Sequence, residues 1–231
     1  MSAFEAAIKL GFEYLETDAR ATKDGVVMAF HDATLDRVTD RTGLIADLSY
    51  TEVAAARIRG VEPIPRLDEV LAAWPGAKVN IDAKDAASVL PLARTIDRSG
   101  AHDRICLASF SDRRRRAVLS RLSAPVATSP GTQIMSGFRA AASTIGPVRA
   151  ARTRLRDVDC LQVPINFGRV VMVSEALVAG VHAAGKQVHV WTINDEPTMH
   201  RLLDIGVDGI MTDRADVLRD VLTARGAWRA T

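Results

Sequence analysis

Two cysteines, two tyrosines and three tryptophans among 231 residues exclude several kinds of protein at once. A disulfide-stapled scaffold needs more cysteine than this. Cys106 and Cys160 each lie in an apolar run that reads as a strand, so both are expected as reduced core thiols. Long apolar runs are missing too, and nothing approaches the ~18 residues of a membrane-spanning helix. The N-terminus lacks the basic, apolar and small-residue zones of a signal peptide, so the expected location is cytoplasmic unless an export signal lies ahead of Met1. Charge of one sign is not in excess: 30 Lys+Arg stand against 28 Asp+Glu, a balance of +2. That balance gives no electrostatic reason to invoke nucleic acid or a membrane surface as partner. Low-complexity segments, fixed-period repeats and long linkers are also lacking. What remains, 48% hydrophobic and 25% charged residues in a chain of this length, suits one domain spanning residues 1–231 with a single large core.

The chain alternates between two periodicities. Residues 3–10 read as an amphipathic helix ended by Gly11. Strand-like segments follow at 14–19, 78–83, 104–110, 125–128, 159–163, 187–193 and 209–212, with helical stretches between most of them. Repeated strand-then-helix units imply parallel strands, and this many in one domain favour a TIM (β/α)8-type barrel over an open sheet. Seven strands are counted where a barrel has eight. Since the sequence opens on a helix, the expected first strand lies upstream of Met1; an open or rearranged seven-stranded sheet is the alternative. Asn194 to Pro197 offer a capping side chain and a first-turn proline. Arg113 to Arg116, four adjacent arginines on a helix, are expected to form a solvated face.

Barrels carry their chemistry at the carboxyl ends of their strands. Two segments put polar groups there. In Leu15-Glu16-Thr17-Asp18, alternate residues share a face, so Glu16 and Asp18 project together; the same rule pairs Asp82 with Lys84. Carboxylates held close repel unless a cation neutralises them, and carboxylates without convergent Cys or His suit Mg²⁺ or Ca²⁺ better than zinc. Acidic residues at strand ends also cap helices or pair with surface arginine, and the spacing alone leaves both readings open. Thr22-Lys23-Asp24-Gly25, followed by the apolar run 26–30, reads as a hairpin returning along the first strand. A two-residue turn sets His31 opposite Asp18, and a three-residue turn sets it opposite Thr17. Either register brings an imidazole to the end of an apolar strand, a position suited to a general acid or base.

The run from Gly11 through Asp18, then Thr22-Lys23-Asp24-Gly25, then Phe30-His31-Asp32 with Leu35, Asp36 and Arg37, closely resembles the glycerophosphodiester phosphodiesterase signature. Further resemblance lies in 64–71, in Asn80-Ile81-Asp82-Ala83-Lys84, in Val190-Trp191-Thr192-Ile193-Asn194 and in Gly209 to Asp213, and so covers nearly the whole chain. It implies that Glu16, Asp18 and Asp82 bind a divalent cation, with Asp82 standing where glutamate is more usual. It implies that Lys84 contacts the phosphate and that Trp191 lines the pocket beside the alcohol, although a strand tryptophan equally fills a core. Residues 33–77 then resemble the family's cap insertion. The implied reaction is hydrolysis of a small-molecule glycerophosphodiester to glycerol 3-phosphate and an alcohol.

In the family a partner histidine lies in a His-Arg-Gly motif ending the first strand. The present sequence starts within the helix that resembles the next element, and His102, His182, His189 and His200 fall in positions unsuited to replace that histidine. Two rival expectations follow: a catalytically silent barrel that binds metal and phosphate, and a phospholipase D-like relative acting on lysophospholipid or sphingomyelin. The latter calls for an apolar rim or membrane-facing loop, and no such segment stands out in the sequence. The motifs fix neither the alcohol group, nor Mg²⁺ against Ca²⁺, nor an oligomeric state.

Overall fold

The computed structural model describes residues 1–228, which divide into two compact units, 1–5 with 13–127 and 6–12 with 128–228. The chain opens on α1 (Ser2–Lys9). The first unit then builds a sheet in the order β2-β1-β5-β6-β7 from β1 (Tyr14–Ala21), β2 (Val27–Ala29), β5 (Lys78–Ala83), β6 (Ile105–Ala108) and β7 (Ala127–Thr128). Between β2 and β5 lie α2 (Tyr50–Ala54), β3 (Arg57–Ile58), β4 (Glu62–Pro63) and α3 (Leu67–Ala73), and after β5 come α4 (Val89–Ser99) and α5 (Asp112–Leu119). β1, β5 and β6 run parallel, as the alternation of strands and helices implies.

Period-2 patterning decides which face of β1 does what. Leu15, Thr17, Ala19 and Ala21 are buried, while Glu16, Asp18 and Arg20 stand together on the other face. On the helix side, Val79, Ile81 and Ala83 of β5 pack with Leu67 and Leu71 of α3, Leu92 and Ile96 of α4 and Val118 of α5. Burying such aliphatic side chains contributes roughly 1.5–3 kcal/mol each and pins the strand register. The polar face of the sheet is thereby fixed as well.

The hairpin closes in the three-residue form. Thr22 N donates to Val26 O at 2.9 Å, Gly25 N donates to Thr22 O at 2.9 Å, and Ala19 pairs with Ala29. Gly25 sits at φ +82°, a conformation costly for a residue with a side chain. Counting outward from that register sets His31 opposite Thr17. The insertion packs its own core of Met28, Phe30, Leu35, Ile45, Val53, Ala56 and Ile64. Ser49 and Glu52 form a reciprocal capping box on α2, and Asp24 accepts from Tyr50 N at 2.9 Å, tying the hairpin to that helix. Of the expected insertion 33–77, the part up to Ile64 belongs to this separate core, whereas Leu67 and Leu71 join the core of the sheet.

The arginine run corrects an expectation. Arg113 and Arg116 are exposed, but Arg115 is buried beside Asp112, its Nε 3.8 Å from Asp112 Oδ1. The inward stripe of α5 falls at 112, 115 and 118, so the third arginine is carried under the helix, where the aspartate offsets its charge.

The second unit contains α6 (Thr132–Ile145), α7 (Pro147–Arg154), β8 (Cys160–Pro164), β9 (Asn166–Phe167), β10 (Val170–Val171), α8 (Glu175–His182), β11 (Gln187–Trp191), α9 (Glu196–Asp204), β12 (Gly209–Ile210) and α10 (Ala215–Ala224). β8, β11 and β12 form a parallel sheet in the order β12-β11-β8. Its core gathers Leu161, Val163, Val188 and Val190 with Phe138, Leu177, Val181, Met199 and Leu202. Helices α7 and α8 approach so closely at Gly180 that an added Cβ would lie 2.5 Å from Pro147 Cβ. Asp195 caps α9 by accepting from Thr198 N at 3.0 Å, with Pro197 in the first turn as expected. No helix among the described residues is long and apolar enough to cross a membrane.

Candidate active site

On the polar face of the first sheet, the parallel register sets Glu16 beside Asn80 and Asp18 beside Asp82. Lys84 follows β5 directly, its backbone held by Ala19 O at 3.1 Å, and reaches back across both strands. Its Nζ lies 2.8 Å from Asp18 Oδ1 and 2.9 Å from Asp82 Oδ2, with the Phe110 ring centroid 5.4 Å away. Asp82 Oδ1 is buried and has no hydrogen-bond partner among the described residues. Burial pushes the Asp82 carboxyl up, against the pull of the Lys84 hydrogen bond. Burial opposes charge on Lys84 too, but its hydrogen bonds to Asp18 and Asp82 raise its pKa overall.

Glu16 shares the face of Asp18 but is exposed, two residues back along the strand, or roughly 6.5–7 Å. Among the described residues no group of three or more His, Cys, Asp or Glu side chains stands close enough to hold a metal ion. The geometry therefore joins Asp18, Asp82 and Lys84 and leaves Glu16 at the edge of that cluster.

His31 lies just past β2. Its backbone is drawn to the site, since Arg20 Nε donates to His31 O at 2.9 Å, while Arg20 Nη1 bonds Asp85 Oδ2 at 3.2 Å. The ring turns to Asp32: Nδ1 and Oδ1 are 2.7 Å apart, and the imidazole is 67% exposed. Arg37 donates to both oxygens of the same carboxylate. Arg114, from the run assigned to solvent, instead donates to Ala83 O at 3.0 Å and Ser109 Oγ at 3.2 Å. Arg20 was legible in the alternation, since it continues the face of Glu16 and Asp18. The reach of Arg114 required tertiary folding and left no sequence signal.

In the second unit Trp191 ends β11, half-buried and paired in register with Pro164. The next turn is braced by Asn194, whose Oδ1 accepts from Asp213 N at 2.9 Å and Thr212 Oγ1 at 3.0 Å. Past the carboxyl end of β8, the β9–β10 hairpin presents Phe167, Val170 and Val171, 63%, 49% and 55% exposed. This is an apolar projection that the sequence reading passed over, because residues 165–171 show no regular period.

The family model for the glycerophosphoryl diester phosphodiesterase family matches residues 1–217. The chain belongs to that family. The Mycobacterium tuberculosis protein named probable glycerophosphodiester phosphodiesterase 2 is 45% identical over 99% of this chain and 86% of its own length. Human lysophospholipase D GDPD1 is 28% identical over 96% of this chain and 81% of its own. Among solved structures, an Oleispira antarctica phosphodiesterase in complex with the product sn-glycerol-3-phosphate superimposes with a TM-score of 0.78, at 21% identity, covering 96% of this chain and 89% of that one. That likeness speaks for the fold alone, the α/β barrel type of the phosphodiesterases.

Proposed function

We propose that this phosphodiesterase hydrolyses glycerophosphodiesters to glycerol 3-phosphate and an alcohol, with the polar face of β1 and β5 as its reacting centre. The observation that carries the reading is the unpartnered, buried Oδ1 of Asp82 beside Asp18 and Lys84. An acceptor-only oxygen in such a place suits a hard cation, and the two convergent carboxylates would offer oxygen donors to Mg²⁺ or Ca²⁺. Such an ion supplies charge neutralisation at the phosphoryl oxygens. Asp18 and Asp82 would hold it, and Lys84 would turn its ammonium to a phosphate oxygen. His31 Nε2 would take a proton from the attacking water as the new P–O bond forms and the bond to the alcohol breaks. One proton of that water ends on the alcohol and the other leaves through the imidazole.

The test is glycerol 3-phosphate release from glycerophosphocholine with Mg²⁺ or Ca²⁺ and with a chelator control. Chelator-sensitive release is expected, and His31→Ala should lower it by about 10²–10⁴-fold while cation affinity stays within a few-fold. Full turnover in that variant would remove His31 from the mechanism. A folded protein that binds the cation yet releases no product would point to the silent, ligand-binding form.

One observation favours a second substrate class. The exposed Phe167, Val170 and Val171, with Arg169 between them, suit an aggregated lysophospholipid better than a soluble diester. Phe167→Ser with Val171→Ser should then lower turnover of micellar lysophosphatidylcholine several-fold and leave glycerophosphocholine hydrolysis unchanged. An equal effect on both substrates would reject the lipid reading.

A further inference from the structure

His31 Nδ1 lies 2.7 Å from Asp32 Oδ1. Arg37 holds both oxygens of that same carboxylate, its Nε 2.6 Å from Oδ2 and its Nη2 2.9 Å from Oδ1. A two-point guanidinium grip fixes the plane of a carboxylate as well as its position. Neighbouring residues in an extended strand point to opposite faces, so His31 and Asp32 would not meet if β2 continued. The strand ends at Ala29, and the chain bends through residues 31–33. It then folds back on buried Leu35, whose N donates to Gly43 O at 3.0 Å, and Asp36 Oδ2 accepts from Gly43 N at 3.1 Å. That closed loop returns Arg37 onto Asp32.

We infer that Asp32 and Arg37 are positioning residues for His31, with Arg37 fixing the Asp32 carboxylate and Asp32 keeping the imidazole proton on Nδ1 so that Nε2 is the basic nitrogen. The proton assignment follows from charge. The hydrogen bonds from Arg37 and then His31 hold Asp32 at about 2, so at neutral pH the carboxylate is ionised and can only accept. The shared hydrogen must therefore come from Nδ1. Nε2 makes no hydrogen bond to the protein among the described residues, and the exposed ring leaves it open to an incoming group. When Nε2 takes up a proton, the Asp32 carboxylate still accepts from Nδ1–H and keeps the ring in place.

A purely structural role for this ion pair is the competing account, and it makes a different prediction. Arg37 is 67% exposed, and exposed pairs of this kind contribute little to folding. If orientation is its purpose, losing it should change the imidazole and the rate without changing stability.

The inference takes from the hydrolase reading only what the base does, so the experiment separates the two. The full chain, labelled with ¹⁵N-histidine, would be observed by long-range ¹H–¹⁵N correlation at neutral pH, with His31→Gln identifying the His31 signals. Glycerophosphocholine kinetics and urea midpoints would be measured on the same proteins. Wild type should show the Nδ1–H form. Asp32→Ala should let the Nε2–H form appear and lower kcat by roughly ten- to a hundredfold, less than the 10²–10⁴-fold that acid–base participation supplies as a whole. KM and the urea midpoint should hold. Arg37→Lys, at an exposed position where misfolding is not at issue, should fall between wild type and Asp32→Ala in both the spectrum and kcat. An unchanged His31 spectrum in Asp32→Ala, or a changed spectrum with wild-type kcat, would overturn the inference. Should the wild-type chain hydrolyse no diester, the hydrolase reading fails, and the His31 spectrum of Asp32→Ala alone decides whether Asp32 sets the tautomer.

Discussion

The strand ends of the two units are built from opposite materials. In the first unit they crowd charge: Asp18 and Asp82 share the ammonium of Lys84, and Arg20 reaches Asp85 beside them. In the second they are mostly neutral or apolar, with Asp213 held by Asn194 Nδ2 at 3.1 Å and Arg169 in the hairpin as the charged exceptions. Asn194 braces the chain after β11, Trp191 ends that strand, and a hairpin of exposed Phe and Val follows β8. Charge gathered on a half-buried sheet face is costly and is kept where it can act on a phosphoryl group. Amide braces and aromatic surface cost little and suit recognition of a ligand's uncharged part. The proposed reaction chemistry accordingly rests on the first unit.

The strongest way to break that contrast is to remove charge from the first unit. Asp18→Ala should lower kcat/KM by at least about a thousandfold, some 4 kcal/mol of transition-state stabilisation, and abolish cation binding measured by calorimetry. Replacing Trp191 by Phe, in the second unit, should leave cation affinity alone. Intact cation binding in Asp18→Ala would mean that the carboxylate pair is a structural brace for Lys84.

Lys84→Met sharpens the comparison through stability. Without its ammonium, two carboxylates face each other, one of them buried, and the loss should approach ~3 kcal/mol in urea unfolding of cation-free protein. A divalent cation should restore part of that loss by binding the folded form alone. A midpoint that neither falls on substitution nor rises with Mg²⁺ or Ca²⁺ would show that Lys84 is not the internal counter-charge.

Much of this was legible in the residues, and the failures have physical causes. Alternation fixed the face shared by Glu16 and Asp18, and the pairing of Asp82 with Lys84, because a strand's period is insensitive to what lies around it. The hairpin left two registers open because Asp24-Gly25 supports either turn; the Thr22–Val26 pair chose between them only once folded. Convergence is a matter of distance, and sequence carries none. Glu16, an equal member of the carboxylate set on paper, stands exposed at its edge, while Asp32 and Arg37, read only as companions of a motif, close on the imidazole. The arginine run misled because the inward stripe of a helix can take a charge when a partner three residues away is buried with it, as Asp112 is with Arg115.

The smallest expected effect lies in the second unit and tests whether its polar groups serve the fold rather than reaction chemistry. His189 of β11 is half-buried, its ring stacked where a Cβ on Gly209 would come within 2.8 Å of Cδ2, and its Nε2 is 3.2 Å from Gln187 Oε1. Burial lowers its pKa below the usual 6.5, and Asp208 opposes that only in part. The folded protein therefore holds the ring neutral at a pH where the unfolded chain protonates it. That contribution to stability is fully present above about pH 6.5 and is lost as pH falls through the lower folded value. Between pH 7 and 5.5 it should amount to at most ~1 kcal/mol. His189→Gln cannot titrate, so the difference between wild-type and variant unfolding free energies should shift by that amount across the interval, in the direction that makes wild type relatively weaker in acid. A constant difference would mean that the ring protonates as readily folded as unfolded. The second unit would then hold a titrating group at its strands, and the division between a charged half and a neutral one would fail there.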